Sequence, residues 1–296
     1  MKKKMYLSTT HSIMRSIYGQ SRRFTVEEAV KAVKKAGYDR IDISLWALCS
    51  PGDIMTGANW EDEVEKIALV CEEQKLPVRQ THGNTASGPQ WDDPNYDFDY
   101  LNMTNLRCIK ATAMLGGKWM VVHPMNLPHD RLYSAEKAKQ ANIAYLAPYI
   151  EAAKKAGIGL AVENMVDYRG WRRRYCGGDI YELIDLVDTI GDSSVGICLD
   201  TGHAHLAGMD VGACVREIGS RLRATHINDN HRNGQDEHLF PYFGTIDWTD
   251  TVRALKETGY TGDFAYEAGS QRIPPETRET WLRYTAGLGR KLLALE

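Results

Sequence analysis

Residues 154 to 164 read KKAGIGLAVEN, a helix–glycine–strand step on which the whole architecture can be built. A basic, helix-like segment stops at Gly157, and an apolar run typical of a buried strand follows at once. Glycine ends helices because it adopts the left-handed backbone conformation without strain. The same step recurs as KKAGYDRIDIS (residues 34–44) and KETGYTGDFAYE (residues 256–267). The chain is therefore predicted to alternate helices with strands.

Eight short apolar runs alternate with longer amphipathic ones. The candidate strands are MYLSTT, DRIDIS, PVRQTHG, KWMVVHP, GLAVENM, VGICLDTGH, RATHINDN and GDFAYEAG. The helical patterns cover residues 25–37, 59–75, 102–116, 134–157, 179–191, 210–219 and 248–259, with a last helix from about residue 275 to the end. Alternating strands and helices favour a parallel sheet. Eight such units without a G-x-G-x-x-G motif predict one α/β domain over residues 1–296, a (β/α)8 TIM barrel with its active site at the C-terminal face of the strands.

The composition is that of an ordinary globular protein and narrows the classes of partner. The net charge of −3 argues against nucleic acid or an anionic membrane as a partner. No apolar run approaches membrane-spanning length, and the start, MKKKMYLSTT, lacks the apolar stretch of a signal peptide. The six cysteines include no C-x-x-C pair. We therefore expect a cytoplasmic protein without structural disulfides.

A carboxylate or an imidazole stands at the carboxyl end of each of six consecutive candidate strands. In chain order these residues are His82, His123, Glu163, Asp200, His226 and Glu267. In a barrel the carboxyl ends of the strands surround one axial pocket. We expect these side chains to meet there, with His82 and His123 facing the substrate.

The last four of these residues, on strands five to eight, predict a metal site. Taken singly, each has a plainer interpretation, since a lone glutamate often caps a helix and a lone histidine often lies hydrogen-bonded in a core. Three carboxylates and an imidazole that converge in one pocket would destabilise it unless a cation compensated them. The oxygen-rich set favours manganese, with cobalt, magnesium or zinc as alternatives, over a thiolate-type zinc site.

The motifs AVEN, CLDTGHA, HINDN and AYEAG occur in that order, and GTIDW lies between the last two. Together they resemble the sugar phosphate isomerase/epimerase superfamily, the xylose isomerase-like TIM barrels, over essentially the whole chain. The resemblance implies a metal, usually manganese or cobalt, held by Glu163, Asp200, His226 and Glu267. It also implies that Glu163 and Glu267 exchange protons with the substrate.

The same resemblance implies that His203 and Arg232 hold substrate oxygens. The expected reaction is sugar isomerisation or epimerisation in carbohydrate metabolism, through enediolate chemistry with proton transfer next to a carbonyl. The expected partner is a small sugar or sugar derivative, phosphorylated or not, and barrels of this type often form homo-oligomers. Arg169 stands where the ketose 3-epimerases of this superfamily have a glutamate, a departure that weighs against a free ketose substrate.

Two other reactions stay open. One is a metal-dependent lyase or dehydratase acting on a keto-sugar or an inosose, which would use the same ligands. The other is that of the apurinic endonucleases, which share the barrel and bind three metals. The metal-ligand pattern of the endonucleases has comparable positions in this sequence at His82, His123, Asp200, His203, Asp236 and His238. The acidic net charge argues against a DNA substrate.

Four arginines follow strand five within six residues, in the segment DYRGWRRRYCGG (residues 167–178). They are Arg169, Arg172, Arg173 and Arg174. Because this loop lies on the catalytic face, the guanidinium groups could bind a phosphate or carboxylate of the substrate. A solvated or subunit-contact charge run explains them equally well. Trp46, Tyr168 and Trp171 could likewise stack on a sugar ring or simply anchor their loops.

Overall fold

The computed structural model describes residues 4–14, 24–86, 88–127, 133–166, 175–269 and 273–295. Its strands are β1 (Tyr6–Thr9), β2 (Ile41–Ser44), β3 (Val78–His82), β4 (Trp119–Val122), β5 (Gly159–Glu163), β6 (Val195–Asp200), β7 (Leu222–His226) and β8 (Asp263–Tyr266). Its helices are α1 (Val26–Ala36), α2 (Trp60–Glu73), α3 (Phe98–Met114), α4 (Ala135–Ala156), α5 (Ile180–Ile190), α6 (Thr201–Leu206), α7 (Val211–Ile218), α8 (Trp248–Glu257) and α9 (Arg278–Leu293).

The strands are parallel and follow chain order around a closed barrel. Strands β2 to β7 form one six-stranded sheet, and β1 pairs with β8 in register Tyr6 to Asp263. Two single bridges join these parts, Thr10 with Asp42 between β1 and β2, and Ile227 with Tyr266 between β7 and β8. The predicted TIM barrel is confirmed.

Helix ends follow the chemistry expected of them. Gly37 and Gly157 end α1 and α4 with φ of 98° and 73°, and Gly259 follows α8 with φ of 72°. These are the glycines of the three helix–glycine–strand steps. At the other end of α1, Thr25 and Glu28 form a capping box. Each step thus turns the chain from the outer ring of helices back into the sheet.

The sixth strand ends at Asp200, as predicted. The last residues of VGICLDTGH lie beyond it and belong to a six-residue helix, α6, which begins at Thr201 and was not predicted. The reason is local: the Asp200 side chain accepts a hydrogen bond from the backbone N–H of His203 and caps the helix. Helix α3 also begins at Phe98, ahead of the predicted residue 102, because Asp97 caps it.

The core lies mainly between the strands and the helices that surround them. A second buried cluster joins four small residues of neighbouring strands, Val121, Ala161, Cys198 and Ala224. All six cysteines are buried, and all are thiols rather than disulfides. Among the helices that the structure describes, none combines the length and apolar character needed to cross a bilayer.

Candidate metal centre

Four side chains converge at the carboxyl ends of β5 to β8. Glu163, Asp200 and His226 are the last residues of β5, β6 and β7, and Glu267 directly follows β8. Each offers one oxygen or nitrogen atom, and these four atoms lie within 4.8 Å of one another. The structure therefore brings together the residues from which the sequence predicts a metal site.

The arrangement of this set fits a cation better than a hydrogen-bonded cluster. His226 Nδ1 lies 3.0 Å from Glu163 Oε1 and 3.1 Å from Glu267 Oε2. Yet His226 Nδ1 and Glu163 Oε2 are buried and make no hydrogen bond with the described residues. Buried polar atoms are nearly always partnered, so donor atoms that face one another without hydrogen-bond geometry are suited to bind a cation.

His82 and His123 lie against the second oxygen of Glu163. Their Nε2 atoms are 3.3 Å and 3.2 Å from Glu163 Oε2. The His82 ring also stacks on that of His226, with ring centroids 5.2 Å apart. The two histidines thus form a further three-residue donor group with Glu163. Both line the cavity above the centre, where the predicted substrate contacts would be made.

Two asparagines that the sequence analysis did not single out hold Asp200 in place. Asn164 accepts a hydrogen bond from the Asp200 N–H at 2.7 Å and donates to its carbonyl at 3.0 Å. Asn228 donates to Asp200 Oδ2 at 2.7 Å. Asn164 directly follows the predicted ligand Glu163 in AVEN, and Asn228 lies two residues after the predicted ligand His226 in HINDN. Each motif therefore contains both a predicted ligand and an asparagine that positions Asp200. Such outer contacts orient a ligand and tune its affinity for the metal.

His203 connects the centre to the loop after β7. Its Nδ1 lies 2.8 Å from the Asn164 carbonyl and its Nε2 lies 3.3 Å from Asp236 Oδ2. Asp236 also accepts from His238 Nε2 at 3.1 Å, and His238 Nδ1 lies 2.7 Å from the Glu267 carbonyl. His203, Asp236 and His238 form a third group of donor atoms that could hold an ion.

Opposite charges shift the proton affinities in this site. Burial alone would raise the pKa of Glu163, but the imidazoles of His226 and His123 hold that pKa well below its ordinary value. Burial raises the pKa of Asp200 to about 6, although the His203 imidazole opposes the shift. Burial would lower the pKa of His203, but Asp200 and Asp236 raise it well above the usual range. The imidazoles thus carry positive charge that compensates the carboxylates. A bound divalent cation would supply this compensating charge in their place.

The Asp229 carboxylate stabilises the loop that contains Asp236 and His238. Asp229 is fully buried and accepts four hydrogen bonds, from the N–H groups of Asn230, Tyr242 and Ile246 and from Trp248 Nε1. Gly244 allows the chain to pass close by, because a Cβ there would lie 2.3 Å from Asp229 Oδ1. The GTIDW motif is thus explained by the shape of this loop rather than by contact with the centre.

A cavity of about 400 Å³ opens above the donor atoms. Its polar wall carries seven of the ionisable residues described above together with Asn126, and Trp46, Ala86, Met165, Val166 and Tyr175 form an apolar wall. Trp46 is 43% exposed, so a flat ligand face can reach it. The volume is in the range of small-molecule sites.

Arg232 is not among the residues that line this cavity. Its Nη2 atom lies 2.5 Å from the position of a Cβ on Gly208, and the residue lines a separate cavity of about 280 Å³ together with His205. A contact between Arg232 and a substrate at the centre would require its side chain to turn. The loop arginines, Arg169, Arg172, Arg173 and Arg174, lie outside the described residues, as do Tyr168 and Trp171.

The comparisons with known proteins agree with the barrel fold. A family model described as a xylose isomerase-like TIM barrel matches residues 30–288. The chain is 29% identical to an uncharacterized protein of Methanocaldococcus jannaschii over 64% of its length, and 27% identical to D-psicose 3-epimerase of Enterocloster bolteae over 50%. These matches span 63% and 46% of the two relatives, less than two thirds of either.

A third match, 30% identical, is to a probable endonuclease 4 of Methanoculleus marisnigri and covers 47% of this chain and 52% of that protein. Among solved structures, D-psicose 3-epimerase in the presence of D-fructose superposes with a TM-score of 0.73 over 98% of this chain and 99% of that chain, at 16% identity. At this identity the likeness concerns the fold.

Proposed function

The chain belongs to the xylose isomerase-like TIM-barrel family, and from that premise we propose that it is a metal-dependent isomerase or epimerase of a sugar or sugar phosphate. Similar proteins with assigned names include sugar epimerases. The observation that carries the proposal is the convergence of Glu163, Asp200, His226 and Glu267, the first three of them buried, at the base of a cavity sized for a small molecule.

These four residues would hold the cation, with manganese favoured by the oxygen-rich donors. A divalent cation held by these residues would act as a Lewis acid and make a C–H next to the carbonyl of a sugar more acidic. Glu163 and His226 are 1% and 2% exposed, so the centre excludes bulk water on the barrel side. The cavity side stays open for the sugar.

Glu163 and Glu267 are the proposed acid/base pair. They approach the same nitrogen of His226 from β5 and β8, strands on different sides of the barrel. A sugar carbon between the two carboxylates could lose its proton to one and regain a proton from the other, with inversion at that carbon. Return of the proton to the neighbouring carbon would give isomerisation instead. Glu267 is the more exposed of the two and faces the cavity.

His203, His82 and His123 are the proposed contacts to sugar hydroxyls, since all three line the cavity. Arg232 joins them in this proposal only if its side chain turns from Gly208 toward the centre.

An anionic substrate would give the loop arginines Arg169, Arg172, Arg173 and Arg174 a role. Comparison of phosphorylated with neutral sugars in wild type and in Arg172→Ala tests this role, because a selecting loop loses its preference in the variant.

The reaction is tested by incubating candidate sugars with the enzyme in deuterated water. Proton transfer at carbon predicts deuterium at a single position next to the carbonyl. Glu267→Gln should abolish the label, whereas Glu237→Gln, which removes a carboxylate bonded to His231 outside the donor set, should retain it. Loss of water from the product would identify the lyase alternative. Full conversion without any label would contradict the acid/base roles.

A second candidate, an apurinic endonuclease-like activity, is favoured by one observation. The donor groups His82–His123–Glu163 and His203–Asp236–His238 flank the four-residue set, so the site offers places for three ions. This is the arrangement expected of the endonuclease class. Cleavage of DNA with an abasic site, lost on His238→Ala, would establish it, and sugar turnover without DNA cleavage would exclude it.

A further inference from the structure

A second cavity, of about 440 Å³, lies at the opposite end of the barrel from the candidate metal centre. Its walls come from the amino ends of the strands. Arg79 is the second residue of β3, Trp119 begins β4, Arg223 is the second residue of β7, and Asp263 begins β8. Catalytic residues of such barrels lie at the carboxyl ends of the strands, so the reaction proposed above gives this cavity no role.

The cavity carries an excess of positive charge. It is lined by four cationic side chains, Arg40, Arg79, Lys118 and Arg223, and by one carboxylate, Asp263. Arg40 pairs with Asp263 at 2.5 Å, and this carboxylate is 1% exposed. The side chains of Arg79 and Lys118 make no ion pair or hydrogen bond with any residue that the structure describes. Asp263 also interacts electrostatically with Arg79, so four cations share this cavity with one carboxylate, and the excess positive charge favours an anion there.

Arg223 is held in position rather than left free in solvent. Its guanidinium donates to the backbone carbonyls of Ser220 and Leu222 and lies 5.3 Å from the centre of the Trp119 ring. Such contacts fix the direction of the planar donor fork. None of these partners is negatively charged, so the positive charge of Arg223 stays available to a ligand.

Two glycines make room for this wall. A Cβ on Gly159 would lie 2.1 Å from the Trp119 ring, and a Cβ on Gly196 would lie 2.2 Å from Arg223 Cγ. Since either contact is far inside van der Waals distance, any side chain at these positions would displace Trp119 or Arg223. The first residue of β5 and the second of β6 therefore allow an aromatic ring and an arginine stem to lie across the end of the barrel.

We propose that this cavity binds a phosphate group, free or carried by a small organic molecule. A phosphate dianion matches two arginines and a lysine better than a single carboxylate would, because each arginine can donate two parallel hydrogen bonds and the ammonium adds a point charge. Ser220 and Thr261 place hydroxyl groups at the same wall. The volume leaves space beside the phosphate for a sugar-sized group against Trp119.

The test is calorimetric titration of the full chain with inorganic phosphate and with glucose 6-phosphate, at constant ionic strength and after treatment with chelator. We expect saturable binding, weakened about tenfold or more in Arg79→Gln and in Lys118→Gln, since each variant loses charge-assisted hydrogen bonds. Arg283→Gln and Lys137→Gln remove the same charges from exposed positions outside the cavity and should bind as wild type does. Glu163→Gln should also bind normally, which separates this site from the metal centre.

Equal affinity for the two ligands would identify free phosphate, and tighter binding of the ester would identify a phosphorylated metabolite. Unchanged thermal unfolding in the absence of phosphate shows that the variants are folded, and Lys118 is exposed, so its substitution should not disturb the barrel. Absence of binding to wild type, or affinity that is unchanged in folded Arg79→Gln and Lys118→Gln, would overturn the proposal.

Discussion

Asp229→Asn should destabilise the protein strongly, although the aspartate and asparagine side chains have nearly the same size and shape. Asp229 Oδ1 accepts from the N–H groups of Asn230 at 2.9 Å and Ile246 at 3.1 Å. Its Oδ2 accepts from the Tyr242 N–H at 3.1 Å and from Trp248 Nε1 at 2.8 Å. An asparagine turns one of these oxygens into an NH2 group, which faces two donors and can accept from neither.

The expected cost follows from those two lost acceptors. A buried donor left without a partner costs about 1–3 kcal/mol, so the free energy of unfolding should fall by roughly 3 kcal/mol. If the free energy of unfolding decreases with urea concentration at a slope near the upper end of the usual range, the urea concentration at the unfolding midpoint should fall by about 1 M. Trp248 is buried beside Asp229, so tryptophan fluorescence during urea titration is a suitable measurement.

Asp247→Asn is the matched control in the same loop. Asp247 is exposed and caps α8 by accepting from the Asp250 N–H, a role that asparagine fills about equally well. Its expected cost is therefore below about 0.5 kcal/mol. A midpoint shift in Asp229→Asn no larger than in Asp247→Asn would refute the assignment of Asp229 as the anchor of this loop.

Three further outcomes are expected. His203→Ala should keep its metal content by elemental analysis while kcat/KM on the identified sugar falls roughly 10–100-fold, since it loses a substrate hydrogen bond; loss of metal would instead make His203 a ligand. Gly202→Ala, whose Cβ would lie 1.8 Å from Asn228 Oδ1, should weaken metal binding about 10–100-fold in a chelator competition, and unchanged affinity would show that Asn228 does not position Asp200. Burial would raise the pKa of Asp39, but Arg290 lowers it overall, so the stabilisation is present above about pH 4 and is lost as the pH falls through this lowered pKa. Asp39→Asn should therefore reduce the free energy of unfolding at pH 7 by about 1 kcal/mol, measured as a lower thermal midpoint, and its difference from wild type should shrink as the pH falls below about 4.

The barrel could be predicted because its determinants are local. The glycine stops and the alternation of apolar and amphipathic runs mark each turn of the chain, and parallel closure then follows from their number and order. The convergence of Glu163, Asp200, His226 and Glu267 was predictable for the same reason. Residues at the same end of neighbouring parallel strands must meet, whatever lies between them in the sequence.

Other features depend on contacts that the sequence does not display. The strand pattern concealed α6, because the N-cap role of Asp200 depends on the direction of one side chain. Asn164 and Asn228 act through hydrogen bonds to Asp200 that appear only once the strands are paired. The position of Arg232 over Gly208 depends on a backbone φ of 54°, which no motif specifies.

The cationic cavity was equally hidden. Arg79, Lys118 and Arg223 come from segments that precede or open three different strands, and each is unremarkable beside its neighbours in sequence. The residues predicted to bind metal or substrate lie at or after the carboxyl ends of the strands, away from this cavity. Only the closed barrel shows that the amino ends gather these charges around one space.

The most direct test of the account is the divalent-metal content of the protein purified without chelator, measured by elemental mass spectrometry. We expect about one equivalent per chain in wild type, lost in His226→Ala and retained in the control Glu237→Gln. Wild type that takes up no divalent metal, or His226→Ala that retains it in full, would contradict the metal centre. About three equivalents, reduced in His238→Ala, would contradict the single-metal sugar enzyme and favour the endonuclease class.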